Sequence, residues 1–185
     1  MIITEIKMSE AKNGKGLEYY LERVGKYPII AVNTSSLFKG SIPMLEKARE
    51  MYGKKKIIRK DFIMIPRQID EFTRIDYALL LAEYLPRTQL ERLRDYCHVR
   101  GILPLIEVGS YKKFKHKEMI LVNSRNLNTG EINREKAIEL CREYKKEGYN
   151  VIYGSGENSD MIARQKISDY VLIGTAFMKE TLQKR

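Results

Sequence analysis

Short apolar runs that stop on a polar residue recur at roughly even intervals along this chain. Ile2-Ile3-Thr4-Glu5-Ile6-Lys7 ends on a lysine, and so does Ile57-Ile58-Arg59-Lys60. Leu103-Pro104-Leu105-Ile106-Glu107 ends on a glutamate and Met119-Ile120-Leu121-Val122-Asn123 on an asparagine. Val171-Leu172-Ile173 ends on the small pair Gly174-Thr175. Runs this short and this rich in Val, Ile and Leu fit strands buried on both faces, as in a parallel sheet. The pattern predicts strands at 2–7, 28–33, 56–60, 77–82, 103–107, 119–123, 150–153 and 170–174.

Amphipathic stretches separate them: 16–24, 42–52, 66–75, 88–100, 111–116, 134–147, 159–167 and 177–183. The stretch at 111–116 has the weakest helical pattern and 134–147 the strongest. Thr88 is the expected N-cap of the fourth helix and Asn133 of the sixth. Gly53, Gly101 and Gly148 follow helices where a left-handed C-cap is wanted. Eight strand–helix alternations predict one domain, a closed (β/α)8 or TIM barrel with short loops, over residues 1–185. The competing open doubly wound sheet needs fewer strands, and no Gly-x-Gly-x-x-Gly or Walker-type loop follows the first one.

Composition changes this picture little. With 43% hydrophobic and 31% charged residues, the chain reads as a soluble domain. No apolar run reaches the roughly 18 residues of a membrane helix. Met1-Ile2-Ile3-Thr4-Glu5 has neither basic region nor cleavage site, so a cytoplasmic location is expected. Cys97 and Cys141 fall in helical segments without metal-ligand spacing and read as free, packed thiols. The net charge of +10 stands out. It admits nucleic-acid binding, steering of anionic small molecules, or an ion-rich surface of a heat-adapted protein. The basic clusters at 54–56 and 112–117 lack the interleaved aromatics of a strand-binding platform, so no nucleic-acid partner is expected.

The polar strand ends are the candidate chemistry, because barrel enzymes work at the C-terminal rim. If Arg59 faces the helix layer, period two turns Lys60 into the lumen, where a lysine can serve as a general acid. The bland alternative is a surface lysine in a basic run. Glu107, inside an apolar segment, needs a partner, and a lysine across the mouth would supply one. Glu5 and Lys7 share a side with each other and could join that set. Asn123 could orient a substrate hydroxyl or simply turn the chain. The Ser155-Gly156 and Gly174-Thr175 pairs follow strands seven and eight, where such barrels frequently bind phosphate. Two ordinary glycine turns would look the same.

At these residues the chain resembles the indole-3-glycerol phosphate synthase family, from Ile2 to about Met178. Glu5-Ile6-Lys7, Leu37-Phe38-Lys39-Gly40-Ser41, Arg59-Lys60-Asp61-Phe62 with Gln68, Leu105-Ile106-Glu107, Asn123-Ser124-Arg125-Asn126-Leu127 and Gly174-Thr175-Ala176-Phe177 match its motifs in order. The resemblance implies a lyase of tryptophan biosynthesis that needs no cofactor or metal. Its substrate would be 1-(2-carboxyphenylamino)-1-deoxyribulose 5-phosphate, which it cyclises, decarboxylates and dehydrates. It implies Lys60 as the general acid of ring closure and Lys7 as carboxylate ligand and dehydration acid. Glu107 and Glu5 become base and electrostatic partners, and Asn123 a hydroxyl ligand. Phe38 and Phe62 flank the anthranilate ring, Arg125 and Leu127 line the pocket, and Ser155, Gly156, Gly174 and Thr175 take the phosphate. A monomer or weak oligomer is expected, with another tryptophan-pathway enzyme as protein partner.

Three features depart from the family pattern. Its Glu-Ser-Gly reads Gly154-Ser155-Gly156, so one carboxylate is missing. Its Lys-x-x-Ser-Pro-Ser loop reads Lys7-Met8-Ser9-Glu10-Ala11-Lys12. The family's helical extension ahead of strand one has no counterpart in the sequence, which implies a different barrel bottom or substrate cover. A related phosphate-barrel isomerase or lyase therefore stays open, although neither cysteine lies at a strand end. So does a catalytically weak barrel kept as a pathway partner.

Overall fold

The computed structural model describes residues 1–11, 14–126, 129–154 and 166–178. Eight parallel strands close in chain order: β1 (Ile2–Ile6), β2 (Ile29–Asn33), β3 (Lys56–Lys60), β4 (Tyr77–Leu81), β5 (Leu103–Val108), β6 (Met119–Asn123), β7 (Asn150–Gly154) and β8 (Tyr170–Ile173). β8 pairs with β1 through Val171 opposite Ile2 and Leu172 opposite Ile3, which shuts the barrel. The fold is the expected (β/α)8 barrel.

Period two sorts every strand into two layers. Ile3, Ile29, Ala31, Ile58, Leu79, Leu81, Leu105, Leu121, Ile152 and Leu172 fill the lumen. Their neighbours in sequence, such as Ile6, Ile30, Ile57, Ile106, Ile120, Val151 and Ile173, pack outward against the helices. The lumen column of each strand then continues upward to its rim. On β1 it passes from Ile3 to Glu5, on β3 from Ile58 to Lys60, on β5 from Leu105 to Glu107, and on β6 from Leu121 to Asn123. The apolar layers below hold these polar side chains at the mouth.

The outer ring contains α1 (Leu17–Val24), α2 (Ile42–Met51), α3 (Pro66–Asp70), α4 (Arg87–Val99), α5 (Arg134–Lys146) and α6 (Thr175–Met178). α5 turns Ala137, Leu140, Cys141 and Tyr144 inward at helical spacing. Asn133 caps it, its side chain accepting from the Lys136 amide at 3.0 Å. α4 starts at Arg87 with Pro86 as its cap residue, so Thr88 lies inside the helix rather than capping it. Gly101 and Gly148 adopt φ of +70° and +80°, as a left-handed helix end requires, whereas Gly53 is not left-handed. The helix expected over 66–75 stops at Asp70. The expected helices at 159–167 and 177–183 lie mostly outside the described residues.

No helix forms at 111–116. The run Lys112-Lys113-Phe114-Lys115-His116-Lys117 has too little apolar periodicity to pack one face as a helix. Two buried tyrosines hold the irregular strap instead. The Tyr144 hydroxyl accepts from the Lys112 amide at 2.9 Å and donates to the Lys112 carbonyl at 3.0 Å. Tyr149 does the same with Phe114 at 3.2 and 3.3 Å. Cys97 and Cys141 are buried and unpaired, and burial pushes both thiols up to about 12. Among the described residues, no helix is long and apolar enough to cross a membrane.

Candidate active site

β3 carries the centre of the site. Lys60 follows Arg59, and the two point to opposite faces. Arg59 lies in the helix layer, where it donates to Thr34 Oγ1, the Gln68 carbonyl, Asp61 Oδ2 and Glu71 Oε2. With Arg59 held on the outside, Lys60 must enter the lumen. Asp61 Oδ1 accepts from the Phe62 amide at 2.8 Å and Oδ2 from Thr34 at 2.7 Å. Gln68 closes the following turn, accepting from the Met64 and Ile65 amides and donating to the Phe62 carbonyl. Arg59, Asp61 and Gln68 therefore form the frame that aims Lys60 and Phe62.

The Lys60 ammonium sits 3.3 Å from Glu5 Oε2, and only 15% of its side chain and 4% of that of Glu5 are exposed. Glu5 Oε1 accepts from Asn33 Nδ2 at 3.0 Å. Burial alone would raise the Glu5 carboxyl, but Lys60, Lys7 and the Asn33 hydrogen bond outweigh it, and its pKa falls below the ordinary 4.5. Burial likewise opposes the Lys60 charge, yet Glu5, Glu107 and Glu10 together hold its pKa above the ordinary 10.5. Both groups stay ionised at neutral pH.

Glu107 is buried and accepts from Asn123 Nδ2 at 3.1 Å. Its direct partner is thus the neighbouring strand's amide, not the lysine expected from sequence; Lys60 feels its charge across the lumen. β5 and β6 run side by side with Glu107 opposite Leu121, which brings the two polar rim groups within reach of each other. Asn123 also turns the chain, its Oδ1 accepting from the Arg125 amide at 3.0 Å. The two readings of Asn123 are therefore not exclusive.

Lys7 lies just beyond β1, 3.1 Å from Glu10 and 5.2 Å above the Phe38 ring. Phe38 reaches the mouth on the 3-10 turn Ser36–Phe38. That loop closes only because residue 40 is glycine: a Cβ there would lie 2.3 Å from the Asn33 carbonyl oxygen. Phe62 is half-buried at the rim and meets Tyr84 edge to face at 6.4 Å. Arg125 is exposed, on an isolated bridge to Ile132. Gly174 and Thr175 are half-buried where β8 passes into α6. A side chain at Gly174 would come 3.0 Å from Glu5 Oε2, so glycine leaves that carboxylate its place. Leu127, Ser155 and Gly156 lie outside the described residues.

Asn33, Glu10 and Tyr84 escaped the sequence reading. Asn33 could have been found, since Ile29-Ile30-Ala31-Val32-Asn33 is another apolar run ending on a polar residue. Glu10 ends a short 3-10 turn and Tyr84 sits in a turn, and neither carries such a signal.

The arrangement places one ammonium among carboxylates, a second ammonium beside an aromatic ring, and apolar rings at the rim. It suits a substrate that is anionic, aromatic and carries a carbonyl to be polarised. Comparison with known proteins agrees with it. A family model described as indole-3-glycerol phosphate synthase matches residues 22–185. The indole-3-glycerol phosphate synthase of Sulfurisphaera tokodaii is 30% identical over 194 residues, covering 97% of this chain and 78% of the relative. That of Campylobacter hominis is 29% identical over 197 residues, covering 97% and 75%. Among solved structures, a crystal structure of KGPDC from Streptococcus mutans superposes with a TM-score of 0.73 at 14% identity, covering 96% of this chain and 89% of that one. A tryptophan synthase complex from Pyrococcus furiosus gives 0.70 at 13%, covering 97% and 88%, and these two likenesses concern the fold alone. Motifs, barrel and rim together place the chain in the indole-3-glycerol phosphate synthase family, the carboxy-lyases of tryptophan biosynthesis.

Proposed function

We propose that this barrel converts 1-(2-carboxyphenylamino)-1-deoxyribulose 5-phosphate into indole-3-glycerol phosphate, with Lys60 as the acid of ring closure. The observation that carries the reading is the Lys60 ammonium, enclosed at the lumen mouth and held charged by the carboxylates around it. The ring carbon bearing the carboxylate attacks the substrate ketone, and the developing oxyanion takes its proton from Lys60. A lysine whose pKa is raised gives up its proton reluctantly, so it acts first by polarising the carbonyl. Carbon dioxide then leaves, and its bonding pair restores the aromatic ring. In the last step the new hydroxyl departs as water with a proton from Lys7. Glu107 takes the proton from the neighbouring carbon. Glu107 suits the base role better than Glu5, which Asn33 and Lys60 both engage.

Phe38 and Phe62 flank the anthranilate ring, and Asn123 holds a hydroxyl. Arg125 lines the pocket and the phosphate lies at Gly174-Thr175, with Leu127, Ser155 and Gly156 as the further ligands that the family resemblance implies. The protein acts in the cytoplasm as a monomer or weak oligomer. A relative from Archaeoglobus fulgidus, 28% identical and named tryptophan biosynthesis protein TrpCD, supports a partner from the same pathway; this chain covers 35% of it.

A fluorescence assay for the indole product tests the reading. Wild-type protein is expected to turn over, and Lys60→Ala to lose at least about a hundredfold in kcat, the low end of what a positioned acid supplies. Lys60→Ala also strips Glu5 of its hydrogen-bonded cation, so its folding is measured alongside. Folded protein that binds substrate and yields no product refutes the reaction; turnover surviving in Lys60→Ala refutes the acid.

A further inference from the structure

The described chain between β5 and β6 forms the strap at 109–118 and no helix. On the neighbouring α4, Arg87, Leu90, Glu91 and Arg94 make one stripe at helical spacing, and a cavity of about 380 Å³ lies between that stripe and the strap. Its floor is apolar, made by Ala82, Leu85, Leu90 and Phe114. All four belong to the layer between sheet and helices, so the cavity is on the helix side of the barrel wall and Lys60 on the lumen side. A space of this volume, apolar below and charged at its edge, has the usual makeup of a small-molecule site.

The charges around the floor do not cancel. Arg87 pairs with Glu91 at 3.2 Å, Arg94 with Glu118 at 3.1 Å and Lys112 with Glu83 at 3.1 Å. Lys113 and Lys115 line the same cavity, are exposed, and pair with no carboxylate among the described residues. Two positive charges are left over. They stand on a fixed backbone: Tyr144 and Tyr149 each hold the amide and the carbonyl of Lys112 and Phe114, and Lys112 Nζ donates to the Ala82 carbonyl at 2.9 Å. A ligand that meets Lys113 and Lys115 therefore has little backbone to order. A bare inorganic anion would leave the floor unused, and a neutral apolar molecule would leave both ammonium groups unanswered.

We infer that this cavity binds a phosphate monoester with an apolar, ring-sized body. The body lies on Leu85, Leu90 and Phe114, and the two negative charges of the phosphate answer Lys113 and Lys115. This site stands or falls independently of the reaction proposed above.

Phenyl phosphate, titrated calorimetrically into wild type and Lys113→Gln/Lys115→Gln, is the test. The mouth is the same in both proteins, so binding lost in the double variant belongs to the cavity. The double variant is expected to bind at least about tenfold more weakly at that site. Lys54→Gln/Lys136→Gln, which removes two exposed lysines elsewhere, should keep the wild-type affinity. Inorganic phosphate and phenol each supply half of the ligand, and each should bind at least about tenfold more weakly than phenyl phosphate. Without ligand the double variant should melt with wild type, because its two lysines hold no ion pair, so lost binding is not lost folding. Equal affinity in wild type and Lys113→Gln/Lys115→Gln overturns the inference. So does an equal loss in the Lys54→Gln/Lys136→Gln control, which would reduce the effect to net charge. Inorganic phosphate that binds as tightly as phenyl phosphate overturns it as well, since the floor would then contribute nothing.

Discussion

Replacing Glu5 by Gln removes one charge from the rim and leaves its shape in place. Lys60 then remains in the lumen with its nearest counter-ion gone. At 3.3 Å and an effective dielectric constant near 20, that pair attracts by about 5 kcal/mol. Part of this is offset because the Glu5 carboxylate no longer has to be desolvated. The glutamine's single carbonyl oxygen can still accept from one of Lys60 and Asn33, and Glu107 and Glu10 still act on Lys60. Removing one partner of a buried pair usually costs about 3–5 kcal/mol. With those compensations Glu5→Gln should cost about 2–3 kcal/mol, which lowers the melting temperature by about 4–12 °C for a domain of this size. Thermal unfolding followed by circular dichroism across pH reads it out.

The pH dependence fixes the mechanism. Glu5 has a lowered pKa, so its contribution is present above 4.5 and lost as pH falls through the folded value. Lys60 has a raised pKa, so its contribution is present below 10.5 and lost as pH rises through the folded value. Between these limits the gap between wild type and Glu5→Gln is at its full size. In acid, where the wild-type carboxyl is itself neutral, the gap closes. A variant that melts with wild type at neutral pH, or a gap that persists undiminished in acid, would refute the ion-pair account of this rim.

Gly40→Ala drives a methyl group to within 2.3 Å of the Asn33 carbonyl oxygen and 2.5 Å of the Thr34 carbonyl carbon, both backbone atoms that cannot step aside. It should destabilise by about 3 kcal/mol or more, in denaturant titration, and displace Phe38 from the mouth. Cys97 and Cys141, buried and pushed up to about 12, should ignore a thiol-disulfide reagent in the native state. Both should react at once in denaturant; rapid native labelling would show that α4 or α5 opens locally.

The chain alone determined the barrel, because buried parallel strands need unbroken apolar runs and their even spacing leaves room for little else. The same runs exposed Lys60, Glu107 and Asn123, since a polar residue ending an apolar run stands out from its neighbours. Arg59 and Lys60 were separable in advance too, because side chains alternate along a strand and one of them had to face the helices. Which charges meet was decided by tertiary structure. Glu5 and Glu107 look alike in sequence, but the barrel sets Glu5 against Lys60 and Asn33, and Glu107 against Asn123. The strap at 109–118 is irregular because Tyr144 and Tyr149, from a later segment, satisfy its backbone. Gly40 is required by atoms six and seven residues upstream, and Glu10 reaches the site through a single turn with no periodic pattern to announce it. Periodicity records which face of an element is buried, and only closure of the ring brings polar ends from distant strands within hydrogen-bonding distance.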